Sequence, residues 1–339
     1  MKNKTIYLLL IVLSQMACTQ FIDLNDDTIE PILVLNSVIT PDSTIKVEVY
    51  RNASIYEVKK MAVKNAEVFL YENGQELDKL KLEYHVTENP YYEEEGGEQF
   101  DTTFFYTSAN AIAKQGCSYK ITASAPGFDA VSAETTIPAP MPILRIDTSS
   151  IYQYFYDSIN TYGNESLIFN FDILINDQAN TENYYRLVMC IENGRLRTDT
   201  TGAEPVDYIM VSNWGSESFK TQSAVFTTQN EDANSNIIGA PQNKYKIFND
   251  ELFDGKEYPL KVSDENGTNW YGRTNETRYK MQKGEFYRFT FYLHSITKAT
   301  YLYYKSFEMQ LFYNDIPFIE PVTVYSNVDN GAGVFGSYS

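Results

Sequence analysis

The sequence predicts a mainly β protein with one α-helix near its C-terminus. Apolar and polar residues alternate with a period of two in many short segments, such as Ile45, Val47 and Val49, which is the pattern of half-buried strands. Tyrosine and phenylalanine number 28 and 20 against two tryptophans, and both favour strands. Turn-forming pairs such as Asn73-Gly74 follow these segments. Together the three observations predict a series of short antiparallel strands.

The chain has 339 residues, a length at which a single core usually gives way to two domains. We expect residues 31–138 to form an immunoglobulin-like β-sandwich, because about seven short strands in roughly 110 residues are typical of that fold. Pro138, Pro140 and Pro142 then interrupt the pattern, since proline cannot donate to a strand ladder. Residues 143–339 are predicted to form a larger β-rich second domain.

Within the second domain, Leu167–Ile175 and Tyr185–Ile191 alternate as strands do. The pair Asn193-Gly194 follows the second of these strands and predicts a hairpin turn.

The single predicted helix lies near residues 297–313. Ser295 or Thr297 is the expected N-cap, because a hydroxyl can accept a hydrogen bond from a free backbone N–H of the first turn. Four residues at spacings of four, three and four predict its buried face: Thr300, Tyr304, Phe307 and Leu311.

The first 17 residues have the order of a secretory signal. Lys2 and Lys4 precede the apolar run Ile6–Leu13, and Ala17 stands directly before Cys18. The run is shorter than the roughly 20 residues that a membrane-spanning helix needs. We therefore expect cleavage before Cys18, a lipid on its thiol, and an acidic tether over residues 18–30. An ordinary cleaved signal with an incidental cysteine is the alternative.

The net charge of the chain restricts the classes of partner that we expect it to bind. The net charge is −18, and removing residues 1–17 deletes two lysines and no acid, which gives −20. Because a polyanion is repelled by phosphate backbones, nucleic acid is not an expected partner.

Motifs of catalysis are missing from the sequence. The only histidines, His85 and His294, are not spaced as metal ligands. The sequence contains no G-x-S-x-G, no phosphate-binding loop and no G-x-G-x-x-G. We therefore predict no catalytic residue, no cofactor and no metal site, and a protein that is not an enzyme.

Three aromatic residues are the candidate ligand contacts. Trp214, Trp270 and Tyr271 lie in segments rich in asparagine, glycine and serine. Flat rings beside hydrogen-bonding groups suit sugar rings or peptides. The alternative is that these rings only pack their loops onto the sheet.

Several short blocks, in order along the chain, resemble one known family. They are Leu35–Asp42, Val63–Val68, Pro126–Phe128, Ala133–Pro138, Asn183–Leu187, Phe248–Lys256, Pro321–Val322, Ser326–Val328, Asn330-Gly331 and Gly333–Gly336. The similarity is to the outer-membrane lipoproteins of Bacteroidetes that contain domain of unknown function 4249.

The resemblance implies an outer-membrane protein, lipid-anchored through Cys18, beside a TonB-dependent transporter. We expect it to face the cell surface, and the periplasmic face is the alternative. The leading function is the binding or handover of a glycan or peptide nutrient. A structural or adhesive surface lipoprotein and a carboxylate-dependent hydrolase of extracellular polymer are the two alternatives.

Overall fold

The computed structural model describes most of the chain in nine segments: residues 30–52, 61–88, 100–157, 162–197, 207–214, 219–227, 241–264, 285–313 and 322–339. Side chains are described throughout these segments except at 152–157, 162–166, 193–197, 207–214 and 285.

In the described part of the chain, the first sheet has nine strands. They are β1 Leu33–Ile39, β2 Thr44–Arg51, β3 Met61–Ala62, β4 Glu67–Glu72, β5 Gln75–Glu88, β6 Phe100–Ile112, β7 Ser118–Ser124, β8 Val131–Thr136 and β17 Ala332–Ser337.

Period-two alternation creates the core of this sheet. Leu33, Leu35, Ile45, Val47 and Val49 are at most 2% exposed, because every second residue of β1 and β2 points to the same side. Fully burying side chains of this kind stabilises the fold by about 1.5–3 kcal/mol each.

The hairpin between β4 and β5 turns at Asn73-Gly74, as the sequence predicts. Both residues have positive φ, 50° and 81°, the backbone geometry that a two-residue hairpin needs.

The last strand brings the two edges of the first sheet close together. The chain end, which the sequence assigns to the second domain, pairs in parallel with β1 in the register Leu35 to Gly333. At the opposite end of the strand order, Ser132 in β8 forms a bridge with Asp329, just before β17. The first sheet therefore draws its strands from both ends of the chain and is nearly closed.

Two further sheets pack face to face and form the second β unit of the chain, which we name the second sandwich. One has the order β13 Phe219–Thr221, β15 Glu257–Asp264, β10 Tyr162–Asn176 and β9 Ile143–Asp157. In the other, the central strand β11 Tyr184–Arg197 pairs with β16 Glu285–Ile296, β12 Asp207–Trp214 and β14 Ile247–Asn249.

The core of the second sandwich lies between these sheets. Ile173 and Leu260 from one sheet and Leu187 and Phe248 from the other are at most 1% exposed, and they belong to one apolar cluster. A mainly β architecture with one C-terminal helix is thus confirmed.

The predicted turn at Asn193-Gly194 is wrong. Both residues lie inside β11, which continues to Arg197, and the register with β12 shifts between them. Glycine in a strand interior commonly marks such a bulge, so this pair bends the strand without ending it.

The helix α1 Lys298–Tyr313 is, within the described residues, the only α-helix, and it matches the prediction closely. Thr297 caps it, accepting a weak 3.4 Å hydrogen bond from the Thr300 N–H. Its buried residues are Thr300 and Tyr301, and Tyr301 packs on Tyr184 in β11. Leu311 of the predicted stripe is 53% exposed, because the end of the helix borders an open cavity. Among the described helices, none is long and apolar enough to cross a bilayer.

Candidate functional site

An open cavity of about 630 Å³ lies between β13, the segment 241–246 and the C-terminal half of α1. Small-molecule sites usually have volumes of roughly 300–1,000 Å³. The cavity therefore has the size of a binding site for a small ligand.

The segment 241–246 has a fixed conformation. Asn243 is buried, and its side-chain amide donates to the carbonyl oxygens of Phe226 (3.2 Å) and Ile247 (2.8 Å). Its Oδ1 accepts from the Ile247 N–H at 3.0 Å. Asn243 and Lys246 both have positive φ, 51° and 52°, which asparagine tolerates better than most residues. These bonds, with that from the Lys246 N–H to the Asn243 carbonyl oxygen (3.0 Å), fix the backbone of the segment.

Stacked side chains attach this segment to the helix. The rings of Tyr245 and Tyr304 stack with centroids 4.7 Å apart. The guanidinium of Arg186 lies 5.2 Å from the Tyr304 centroid and donates to the Tyr245 carbonyl oxygen at 3.3 Å. Such cation–π contacts stabilise by about 0.5–2 kcal/mol. Three distant parts of the sequence are thus held together behind Tyr245, which lines the cavity.

Glu308 is the acid among the described residues that line the cavity. Its Oε1 accepts a 2.6 Å hydrogen bond from the backbone N–H of Lys244. Burial raises the pKa of the Glu308 carboxyl, although that hydrogen bond and the nearby Lys246 and Lys244 oppose the shift. The carboxyl is therefore easier to protonate than an exposed glutamate.

Cationic and neutral polar groups surround this acid. Lys220, Lys244 and Lys246 line the cavity, and the Lys246 Nζ lies 5.4 Å from the Phe219 ring centroid. Thr221, Gln222, Gln242 and the ring of Phe312 also line the cavity. The site can therefore offer positive charge, amide and hydroxyl hydrogen bonds, and an aromatic surface.

A second concave feature is an apolar slot of about 340 Å³ at the open side of the second sandwich. It is lined by Ile146, Thr148, Phe169, Phe171, Tyr287, Phe289 and Phe291. Thr148 and Ser150 in β9 stand opposite Phe171 and Phe169 in β10, and such small side chains leave the rings uncovered. The slot offers apolar contact and little else, so the cavity has the richer chemistry for binding.

A group of three carboxylates lies in the loops that follow β10 and β14 of the second sandwich. Asp177, Asp250 and Asp254 each place an oxygen within 4.8 Å of the others, a spacing that would allow a cation to bind. All three already accept hydrogen bonds: Asp177 from the Tyr185 hydroxyl (2.6 Å), Asp250 from the Asn183 N–H (2.8 Å) and Asp254 from the Asn180 N–H (2.8 Å).

These hydrogen bonds connect the turn at 250–255 to the loop at 177–183. Burial raises the pKa of Asp250, and the neighbouring Asp177 adds to that shift. The three aspartates therefore connect two loops through their hydrogen bonds.

The residues that the sequence proposed as sites are placed as follows. Trp214 is the last residue of β12, where its backbone pairs with Ile191, and its side chain lies outside the described part. Cys18, Trp270 and Tyr271 lie outside the described residues. Cys117 and Cys190 are free, and Cys117 packs against the core of the first sheet.

Sequence reasoning missed the cavity residues. A signal was present, because Lys244-Tyr245-Lys246 places two lysines beside an aromatic residue in a strongly acidic chain. Lys220 and Glu308 gave no comparable signal, since only folding brings them to this segment.

The fold and the cavity define the class as a mainly β protein with two packed β units and a solvent-open, lysine-lined site. The family is then clear from sequence comparison, since residues 19–339 match the family described as Domain of unknown function (DUF4249). The chain belongs to this family. No curated protein and no solved structure matches it.

Proposed function

We propose that this protein is a lipid-anchored outer-membrane protein that captures a glycan or peptide nutrient beside a TonB-dependent transporter. The observation that carries the proposal is the 630 Å³ cavity, which combines lysines, side-chain amides and aromatic rings around an open volume. This combination is typical of sites that hold polar ligands by a few oriented groups. The signal-like start with Cys18 supports the anchor, and the family resemblance supports the transporter.

Binding by the lipidated protein in detergent tests capture. Neutral oligosaccharides, acidic oligosaccharides and tryptic peptides are the probes, measured by calorimetry. Phe312→Ala removes a ring from the cavity and is expected to weaken binding about tenfold, the loss of roughly 1.4 kcal/mol. The control is Tyr84→Ala, because Tyr84 is 66% exposed on the first sheet and its loss leaves the cavity intact.

The same assay distinguishes the other candidate contacts and functions. Binding that depends on Trp214 or Trp270 and not on Phe312 would move the site to those residues. Turnover of a polysaccharide that is lost on removing one carboxylate would instead indicate a hydrolase. A folded protein that binds none of the probes would exclude capture of these ligands and favour a structural or adhesive role.

The anchor and the transporter need separate tests. Metabolic labelling with a fatty-acid analogue is expected to mark the wild type and not Cys18→Ala. Co-purification from solubilised outer membranes is expected to bring down a TonB-dependent transporter. Label that persists in Cys18→Ala would contradict lipid attachment at this residue.

A further inference from the structure

The second sandwich is attached to the end of β1 that lies away from the N-terminus. At the start of β1, the Asn52 side-chain amide donates to the Glu30 carbonyl oxygen at 3.1 Å. At the other end, the Ile39 carbonyl oxygen accepts from the Tyr338 N–H at 3.0 Å. The Tyr338 ring in turn contacts His294 in β16 of the second sandwich, with centroids 4.7 Å apart. The seven residues of β1 separate these two contacts by about 20 Å.

The proposed lipid anchor keeps the Glu30 end of the first sheet close to the membrane. Residues 18–29, the stretch that starts at Cys18, precede Glu30 in the sequence. Because an extended chain spans at most about 3.6 Å per residue, this stretch reaches about 40 Å at most. Side chains at this end of the sheet are therefore within reach of integral proteins of the same membrane that rise above the bilayer.

The strands β5 and β6 leave the first sheet at this same end as a two-stranded ribbon, residues 81–88 and 100–105. In the described part of the chain, these residues pair only with each other. Because β6 is antiparallel to β2 and Tyr106 stands opposite Val47, the ribbon runs past the end of β2 that holds Asn52. A two-stranded hairpin is only marginally stable in water by itself, so contact with a second surface would stabilise the ribbon.

One side of the ribbon is apolar and exposed. Four large apolar side chains share this side and are between 38% and 66% exposed: Leu82, Tyr84, Val86 and Phe100. Phe104 lies among them, with its ring 6.0 Å from the Tyr84 ring and 3.8 Å from the Lys64 Nζ. The other side of β5 carries Lys81, Glu83, His85 and Thr87. A contiguous exposed apolar patch with a polar surround marks an interaction site.

The charge around the ribbon is negative when the undescribed segments are counted as well. Residues 81–107 contain seven acids and one lysine, residues 48–66 two acids and four bases, and residues 18–30 four acids and no base. Like charges across an interface oppose association. Lipid phosphates and a second copy of this ribbon are therefore unfavourable partners, and a basic protein surface is a favourable one.

We propose that the apolar side of the ribbon docks on an integral protein of the same membrane, at a surface where apolar side chains stand beside lysines or arginines. This inference rests on the proposed function, in which that protein is the TonB-dependent transporter, and it names the surface that contacts it. Tyr84 and Val86 lie at the centre of the contact, and exposed acids such as Glu88 pair with the basic residues. The second sandwich then presents its cavity on the side away from this contact.

The apolar part of the contact is tested by affinity for the transporter that co-purifies from outer membranes, measured in detergent with the lipidated protein. Val86→Asn places an amide in the apolar contact and is expected to weaken binding about tenfold. The matched control is Val38→Asn, which is expected to leave the affinity unchanged. Val38 is 45% exposed against 47% for Val86, and it lies at the other end of the first sheet. Thermal unfolding shows that each variant is folded, and Val86→Thr replaces Val86→Asn if the amide prevents folding.

A charge reversal distinguishes the possible partners by the sign of its effect. Glu88→Lys is expected to weaken transporter binding at least about threefold, and the wild-type affinity is expected to fall as NaCl is raised. The same change would strengthen binding to vesicles of anionic phospholipid or to a second copy of the chain. Glu76→Lys is the matched control, because Glu76 is exposed at the opposite end of β5, and it is expected to leave the affinity unchanged.

Other outcomes overturn the inference in distinguishable ways. Unchanged transporter affinity in Val86→Asn and Glu88→Lys would reject the ribbon as the contact and leave the transporter as the partner. Tighter vesicle binding by Glu88→Lys, or its dimerisation in sedimentation, with unchanged transporter affinity, would replace the partner by the bilayer or by a second copy. A folded, lipidated wild type that binds no transporter would reject the transporter in the proposed function as well. Ligand capture by the cavity is measured without the transporter and is independent of these results.

Discussion

Gly336 in β17 lies so close to Thr300 in α1 that a Cβ atom on the glycine would stand 2.2 Å from the Thr300 Oγ1. Thr300 is 2% exposed, and its hydroxyl pairs with that of Thr297 at 2.8 Å. The contact joins the helix of the second unit to a strand of the first sheet. The two β units are thus connected at the end of the chain by a glycine.

Replacing that glycine tests the connection. Gly336→Ala forces the buried Thr300 hydroxyl to move, and overpacking of this kind costs about 1–3 kcal/mol. We expect a lower urea midpoint with an unchanged slope. Thr300→Ala removes the obstructing oxygen. The double variant is therefore expected to lose less unfolding free energy than the two single variants lose together. Strictly additive losses would show that the two residues do not act on each other.

Local patterns were enough to predict much of the fold. Strand alternation, the turn at Asn73-Gly74 and the helix that follows Thr297 all depend on residues close together in sequence. The turn predicted at Asn193-Gly194 was wrong because the same pair can form a turn or a bulge. Pairing with the long strand β16 keeps both residues inside β11. The pairing of β17 with β1 joins residues almost 300 positions apart, and no local pattern encodes it.

The candidate site was harder to predict for the same reason. Its lysines come from β13 and from the segment 241–246, and its acid comes from α1. Each residue type is unremarkable alone on a solvated surface. These residues form a site only because the packing of the second sandwich and the helix brings them close to one another.

Asp177 provides a test of the link between the loops of the second sandwich. This 5% exposed carboxylate accepts from the Tyr185 hydroxyl and the Asn183 side chain at one oxygen and from the Gly255 N–H (3.0 Å) at the other. Asp177→Asn replaces one acceptor with a donor, which leaves a buried donor unsatisfied and costs about 1–3 kcal/mol. The control is Asp172→Asn on the exposed side of β10, where we expect almost no change in the free energy of unfolding. Equal stability of both variants would contradict the role assigned to Asp177.

His294 is expected to weaken the fold in acid. Burial lowers the pKa of its imidazole below the usual 6.5, and the nearby Arg186 adds to the effect. The unfolded chain then binds the proton more readily than the folded protein, so stability is present above about pH 6.5 and is lost as the pH falls below it.

His294→Gln should therefore reduce the loss of stability between about pH 7 and pH 5, measured by urea unfolding at each pH. His85→Gln is the matched control, because His85 is the only other histidine and is exposed. A pH dependence that changes in the His85 variant and not in the His294 variant would contradict the assignment.

Glu308 is expected to have the opposite pH dependence. Its pKa is raised above the ordinary 4.5 by burial, so the folded protein holds this proton more tightly than the unfolded chain. Its contribution to stability is therefore greatest in acid and falls as the pH rises above about 4.5. Glu308→Gln keeps a carbonyl oxygen for the Lys244 N–H and removes the charge that is costly to bury.

The variant is therefore expected to melt at a higher temperature than the wild type at about pH 8 and to converge with it at about pH 4. Lower stability of the variant at about pH 8 would show that the ion attraction of Glu308 to Lys244 and Lys246 outweighs the cost of burying its charge.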